Sequence, residues 1–234
     1  MPLKLSPLHE ALAVSAAVTG VVTLCAHFVP DKYVATVVGF VFLGATWALV
    51  WRRDDATVEA RGLALGGLVL PGKIDVGRLA RDCARALGWA ALFGAIFFIP
   101  FYFGWRHFWH PKGHFRFVLT PNDALNEVFG QLVIIALPEE ASYRGYLQSR
   151  LDEVFPKRLR LLGTDIGPAL FLTSAIFAAG HYATIHEPAR LAVFFPSLAF
   201  GYLRLRTKGI GAGLTFHAMC NLLSETLGKG FRVY

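Results

Sequence analysis

The stretch ALNEVFGQLVIIALPEEASYRGYLQSRL, residues 124–151, determines how the rest of the chain is interpreted. It is long enough to cross a hydrocarbon core about 30 Å thick, which takes roughly 20 helical residues. It nevertheless carries Glu139, Glu140 and Arg144 near its centre. A charged side chain at the centre of a membrane helix costs at least about 2.5–3.5 kcal/mol by insertion scales. Three such side chains so close together indicate a functional site.

Composition places this stretch in a membrane protein. Hydrophobic residues make up 55% of the chain and the mean hydropathy is +0.48, above the roughly 45–50% apolar content of soluble domains. A soluble α/β enzyme would show shorter apolar runs, of about 4 to 8 residues. Further spans are predicted at about residues 8–29, 33–51, 86–105, 167–185, 189–205 and 209–228. We therefore expect an all-α, polytopic transmembrane helical bundle with about seven membrane helices.

The mixed segment between the second and third predicted spans differs from the others. Residues 52–85 interleave apolar residues with Arg78, Arg81 and Arg85, and Pro71-Gly72 interrupts them. This pattern is typical of a short helix that lies in the membrane interface. With no repeat or second domain visible, residues 1–234 are expected to form a single integral membrane domain.

The net charge of +7 has a simpler explanation than a nucleic-acid partner, because the basic residues are spread over the loops. Fifteen Lys and Arg fall in the loops on one side of the predicted bundle and seven on the other. The positive-inside rule then predicts a cytoplasmic N-terminus. Cys25, Cys83 and Cys220 are far apart, so neither a disulfide framework nor a thiolate metal site is indicated.

Within the central stretch the charged residues divide into a pair and a single carboxylate. Glu140 and Arg144 are four residues apart in the order that favours a helical ion pair, which alone could explain both. Glu139 points about 100° away from Glu140 and needs a different partner. Pro138 lacks a backbone donor, so the helix is expected to be disturbed here.

Two later helices supply candidate partners. One carries Phe177 and His181 a single turn apart, and another carries His217 and Asn221 on one face. A lone His in an apolar helix is more often a hydrogen-bonded core residue. Two His, an Asn, two Glu and an Arg in spans that can pack together favour a functional site. We expect these side chains to converge on one polar cavity.

The three strings together resemble the CPBP family, the intramembrane glutamic endopeptidases that include the CAAX-type prenyl-protein peptidases. The Glu-Glu-x-x-x-Arg motif is matched by Glu139, Glu140 and Arg144, Phe-x-x-x-His by Phe177 and His181, and His-x-x-x-Asn by His217 and Asn221. Residues 200–209 look like the family's lead into its last motif. The resemblance covers about residues 124–228, and the first 120 residues say nothing about substrate.

The resemblance implies a metal-independent endopeptidase without a cofactor. Glu139 and His181 would hold and deprotonate a water, and His217 and Asn221 would donate hydrogen bonds to the oxyanion. Glu140 and Arg144 would support the first pair. Substrates of the family include prenylated Cys-a-a-X tails, leader peptides and C-terminal anchoring signals, so the expected partners are a membrane-associated protein or peptide and the lipid bilayer. We expect a prokaryotic protein of the inner membrane.

Other functions fit the sequence less well. There is no His-Glu-x-x-His for zinc and no Gly-x-Ser-x-Gly for a serine nucleophile. Cys220 lies beside His217 and Asn221, but a thiolate nucleophile needs a cationic or helix-N-terminal setting. A non-catalytic immunity or scaffolding protein of the same fold and a transporter stay open as alternatives, although no repeat typical of transporters is visible.

Overall fold

A computed structural model describes residues 6–118 and 120–233, and most of these residues are helical. The first part of the chain is a helical hairpin followed by a long helix. Its elements are α1 (Pro7–Phe28), α2 (Asp31–Thr46), which continues as the π-helical turn Trp47–Trp51, the short α3 (Asp55–Ala60), a 3-10 turn (Leu65–Gly67) and α4 (Val76–Trp109). Caps fix the helix starts: the side chains of Ser6, Asp54 and Asp75 accept hydrogen bonds from the first turns of α1, α3 and α4.

The next helix runs without a break from residue 121 to residue 154, and we call it the motif helix. It alternates between α- and π-helical geometry: α5 (Pro121–Phe129), a first π segment (Gly130–Ala136), α6 (Leu137–Glu140), a second π segment (Ala141–Gln148) and α7 (Ser149–Val154). A capping box between Thr120 and Asp123 starts it. Pro138 lies in the short α6, where the helix changes from one geometry to the other, as the sequence led us to expect of a disturbed helix.

A small hairpin and three helices complete the chain. The strands β1 (Leu159–Leu161) and β2 (Thr164–Ile166) pair antiparallel, an element that the sequence analysis did not predict. Then follow α8 (Pro168–Thr184), a 3-10 turn (Pro188–Val193), α9 (Phe194–Thr207) and α10 (Gly211–Phe231).

Three helices of the described chain are long and apolar enough to cross a membrane. They are Pro7–Phe28, Asp31–Trp51 and Val76–Trp109. Large apolar side chains such as Phe28, Phe40 and Phe103 lie exposed on them, which suits contact with lipid. These helices support an integral membrane protein, while the count of about seven spans stays a prediction.

The helix boundaries around residue 80 differ from the prediction. The third predicted span, 86–105, is the middle of the longer α4, which begins at Val76 and therefore includes Arg78, Arg81 and Arg85. The predicted interfacial helix within 52–85 is not present as one element. Between the π-helical turn that ends α2 and the start of α4, the segment forms only α3 and a 3-10 turn. Pro71 and Gly72, with Gly72 at φ +105°, prevent a continuous helix there.

The hairpin of α1 and α2 packs against the motif helix, and a glycine sets the distance. A Cβ atom on Gly39 would lie 2.7 Å from the carbonyl oxygen of Ile134, so α2 can approach the motif helix this closely only with glycine. On the other side, α10 packs against α4 and α9 around Phe200 and Phe216. The motif helix thus lies between the two groups of helices.

Side-chain contacts identify which helix ends lie together. Arg150 binds Glu10 at 2.7 Å, Arg61 binds Glu153 at 2.7 Å, and Arg204 donates to the carbonyl oxygen of Ala60 at 3.3 Å. These contacts join the start of α1, the segment after α2, and the ends of the motif helix and of α9. We call this end of the molecule the basic end.

The opposite end contains the connection between α1 and α2, so we call it the turn end. There Arg116 donates its backbone N–H to the carbonyl oxygen of Gly230, and Lys229 pairs with Glu127. The loop after α4, the start of the motif helix and the end of α10 therefore lie together, away from the basic end.

Candidate active site

Glu140 and Arg144 of the motif helix form the centre of a buried charged cluster. Arg144 Nη1 lies 3.0 Å from Glu140 Oε1, and both side chains have no exposed surface. Arg144 also donates through Nη2 to Ser197 Oγ at 2.7 Å and to the Ser197 carbonyl oxygen at 3.1 Å. The expected ion pair is thus extended to α9 by two further hydrogen bonds.

His217 of α10 joins this cluster and connects it to the second carboxylate. Its Nδ1 lies 3.0 Å from Glu140 Oε1, and its Nε2 lies 3.7 Å from Glu139 Oε2. A carboxylate paired with Arg144 can only accept, so the proton of this hydrogen bond belongs to His217 Nδ1. The Nε2 atom is then the one that faces Glu139. Glu140 and Arg144 therefore contact His217, whereas the resemblance had led us to expect them to support Glu139 and His181.

The ring of His181 is also held through its Nδ1 atom, in this case by the backbone of its own helix. Its Nδ1 lies 3.0 Å from the carbonyl oxygen of Phe177, one turn earlier in α8. A carbonyl oxygen can only accept, so Nδ1 carries the proton and Nε2 of the neutral ring is an acceptor. The ring of Phe177 lies 4.4 Å from that of His181. The Phe-x-x-x-His motif thus supplies an imidazole with its tautomer already set.

Two phenylalanines enclose the charged cluster. The guanidinium carbon of Arg144 lies 4.7 Å from the ring centre of Phe177 and 5.3 Å from that of Phe200. Phe200 also stacks on His217 with the ring centres 4.5 Å apart and the planes 12° apart. Aromatic faces attract cations. They therefore hold Arg144 and His217 in place while excluding water from them.

A cavity of about 390 Å³ reaches this cluster from one side. Glu139, Tyr143 and His181 all line it, together with residues from the second half of α1 and the first half of α2. The side chain of Glu139 is 14% exposed. Its Oε2 atom is buried and has no hydrogen bond among the described residues. Glu139 therefore presents a carboxylate oxygen without a hydrogen bond beside two imidazoles.

Among the motif residues, Glu139 and His181 line the cavity, whereas Glu140, Arg144, Phe177 and His217 lie in the buried cluster beside it. Asn221 belongs to neither group. It lies on α10 one turn after His217 and is half-buried, but it is not among the cavity-lining residues. Its neighbour Cys220 packs against the apolar cluster around Phe216. Cys220 therefore lies in the setting of a core side chain and not beside a cation, as a thiolate nucleophile would need.

Two residues near the site escaped the sequence analysis. Tyr143 lines the cavity beside Glu139, and a Cβ atom on Gly180 would lie 3.0 Å from its hydroxyl, so glycine makes room for it. Its position next to Arg144 in the motif was the available signal. Ser197 gave none, because a serine in an apolar helix is common and its contact with Arg144 depends on tertiary packing.

The described residues contain no group of three or more His, Cys, Asp and Glu side chains arranged to hold a metal ion. The Glu140 carboxylate instead lies between Arg144 and His217, which hold it by an ion pair and a hydrogen bond.

Comparison with known proteins agrees with the motifs. Residues 120–223, slightly less than half of the chain, match the family model described as type II CAAX prenyl endopeptidase Rce1-like. Searches of curated proteins and of solved structures found no match to the chain. The matched segment contains Glu139, Glu140, Arg144, Phe177, His181, His217 and Asn221. The resemblance indicated by the motifs is thereby confirmed: residues 120–223 match an Rce1-like domain of the CPBP/CAAX protease family, in a chain whose apolar helices support an integral membrane protein.

Proposed function

We propose that this protein is an intramembrane, metal-independent glutamic endopeptidase that hydrolyses a peptide bond in a membrane-associated protein or peptide. The observation that carries the proposal is the Glu139 carboxylate, which lines a cavity together with His181. Its Oε2 atom has no hydrogen bond among the described residues and lies 3.7 Å from His217 Nε2. The match to a membrane protease family supports the same class of reaction. The expected setting is a prokaryotic inner membrane.

Glu139 is the proposed general base. A substrate water between Glu139 and His181 would lose a proton to the carboxylate, and its oxygen would form a bond to the carbonyl carbon of the peptide. His181 Nε2, an acceptor because Nδ1 is bound to the Phe177 carbonyl oxygen, would orient that water. Glu139 and His181 line the same cavity, so a peptide that enters it contacts both side chains.

His217 is the proposed donor to the oxyanion that forms in this step. Its Nε2 would donate when both ring nitrogens carry a proton, and Nδ1 would keep its hydrogen bond to Glu140 in that form. A donor of this kind is worth roughly 2.7–4 kcal/mol in well-studied enzymes. Asn221 would be a second donor, an assignment that rests on the family resemblance. Cleavage of the C–N bond would then transfer the proton from Glu139 to the leaving amine.

Substitution of the base tests the proposal directly. Purified wild-type protein and Glu139→Gln would be incubated in the same detergent with peptides extracted from host membranes, and new termini would be identified by mass spectrometry. Glutamine keeps the volume of the side chain but has no basicity, so we expect termini only from the wild type. Glu59→Gln, a matched substitution of an exposed carboxylate, should cleave like the wild type. Equal cleavage by Glu139→Gln would disprove the assignment.

Metal independence is tested on the same peptides. We expect cleavage to be unchanged after incubation with EDTA, because the proposed roles use only side chains of the chain. Loss of cleavage in EDTA and its recovery on addition of zinc would show that the chemistry is misassigned.

The alternatives predict different results. A non-catalytic relative with an immunity or scaffolding role would give no new termini with either protein. A transporter would also give none, but it would move a solute across a vesicle membrane. Both alternatives are therefore separated from the proposal by the peptide assay.

A further inference from the structure

Among the residues that the structure describes, the exposed part of the cavity lining lies at one end of the helical bundle. Five lining residues are exposed, and all of them lie at the end of α1, in the first turns of α2 or just after α8: His27, Asp31, Ala35, Ile185 and Arg190. These segments belong to the turn end. From there the cavity passes between apolar walls that include Val22, Val38 and Phe42, and it reaches Glu139 and Tyr143.

Toward the basic end, the interior beyond Glu139 is closed by tight packing. Leu147, Gln148 and Leu151 follow Glu139 along the motif helix, and each is at most 1% exposed. A Cβ atom on Gly145 would lie 2.6 Å from Leu63, which leaves no space between the motif helix and the segment before α4. A peptide could therefore reach Glu139 from the turn end but not from the basic end.

The distribution of charge orients these two ends in a membrane. Exposed basic residues are concentrated at the basic end, in the segment after α2, the first turns of α4, the hairpin region and the end of α9: Arg52, Arg53, Lys73, Arg81, Arg85, Lys157, Arg158, Arg160, Arg206 and Lys208. An excess of Lys and Arg marks the cytoplasmic side of a membrane protein. The turn end then lies on the other side.

We infer that the cavity takes its substrate from the non-cytoplasmic side of the membrane. The substrate class is a membrane-anchored polypeptide with an apolar segment exposed on that face, since the walls of the cavity are apolar and its rim is polar. A tail that reaches the membrane from the cytoplasm would meet the closed end. That the molecule in the cavity is a substrate depends on the proposed function. The side of the membrane on which the cavity opens does not depend on it.

Cysteine labelling tests the orientation without any need for activity. In a background with Cys25, Cys83 and Cys220 replaced by serine, Ile185→Cys marks the rim of the cavity and Leu162→Cys marks the hairpin turn, where Leu162 is 81% exposed. A membrane-impermeant maleimide should label Ile185→Cys in intact cells and Leu162→Cys only after permeabilisation. The reverse pattern would overturn the inference. If Ile185→Cys does not accumulate, Lys32→Cys marks the same end.

The peptide termini made in cells test the substrate side. Membrane proteins from cells that express wild-type protein or Glu139→Gln would be compared by mass spectrometry of new termini. We expect the wild-type-specific termini to lie in segments on the non-cytoplasmic face. Termini confined to cytoplasmic segments would overturn the inference and leave the protease assignment intact. A complete lack of wild-type-specific termini would count against the proposed function, and the labelling would still decide where the cavity opens.

Discussion

Two ion-pair networks on the motif helix use the same residue types in opposite surroundings. Arg144 pairs with Glu140 where neither side chain is exposed, whereas Arg150, six residues later, pairs with Glu10 and Glu153 where the side chains are 24–48% exposed. A buried charge that loses its partner stays desolvated, but an exposed charge that loses its partner is hydrated. The contribution of an ion pair to the stability of this protein therefore depends on how deeply the pair is buried, although the N–O distances are similar.

The largest effect on stability is expected at the buried pair. Glu140→Gln leaves Arg144 with Ser197 as its remaining partner in a low-dielectric site, a loss of about 3–5 kcal/mol for a buried pair. We expect a clearly lower thermal midpoint or poor expression. The double variant Glu140→Gln with Arg144→Met, measured in the same detergent, should recover much of the loss because no unpaired charge is left. A double variant no more stable than Glu140→Gln would show that the unpaired, desolvated charge of Arg144 is not the cause.

A smaller effect is expected where Arg144 meets α9. Ser197→Ala removes the 2.7 Å hydrogen bond to Nη2 and keeps the bond to the Ser197 carbonyl oxygen. Hydrogen bonds to charged groups contribute about 1.5–3 kcal/mol, so we expect a loss within that range. Ser142→Ala, a half-buried serine of the motif helix that has no role in this cluster, is the control for thermal unfolding. Equal midpoints for the two variants would contradict the importance of the bond.

The exposed network provides the smallest effect with the same chemical change. Glu10→Gln removes one partner of Arg150 but leaves Glu153, and pairs of this exposure contribute about 0–1 kcal/mol. We expect a thermal midpoint within a degree or two of the wild type and a difference that shrinks as salt is added. A loss comparable to that of Glu140→Gln would mean that depth does not explain the contrast.

The hydroxyl of Tyr143 is expected to affect the cleavage rate more than the stability. Tyr143→Phe keeps the ring that packs on Phe177, with ring centres 4.9 Å apart, and removes only the hydroxyl from the cavity. We expect stability to stay near that of the wild type and the cleavage rate to fall several-fold, since a polar group beside Glu139 is lost. Rates and thermal midpoints of the purified variant would be measured together. An unchanged rate would limit Tyr143 to packing.

The sequence predicted the parts of this site that depend on one helix at a time. The Glu140–Arg144 pair and the one-turn spacings of Phe177 with His181 and of His217 with Asn221 follow from helical geometry. The contact of His217 with Glu140 and that of Arg144 with Ser197 join residues far apart in the chain, so they depend on how helices pack. Sequence spacing contains no information on that packing.

For the fold as well, the sequence predicted some features and missed others. Apolar runs predicted the helices of the hairpin and of the motif region, but the start of α4 at Val76 was missed because its first turns carry three arginines. Those arginines suit a helix end at the basic side of a membrane as well as an interfacial helix. Composition alone could not distinguish these two, and the small β1–β2 hairpin had too few residues for a recognisable pattern.

The π-helical geometry of the motif helix has a consequence for how relatives of this protein can diverge. A π segment holds one residue more per turn than an α-helix, and such segments are frequent at functional sites. Deletion of one residue between Glu140 and Arg144 would let the segment return to α-helical geometry, and the helix beyond it would keep its orientation because the π segment had accommodated the extra residue. Arg150 would then still face Glu10, whereas Arg144 would lie three residues and not four after Glu140. Single-residue gaps in this segment would therefore change the geometry of the site and leave its attachment to the rest of the bundle in register.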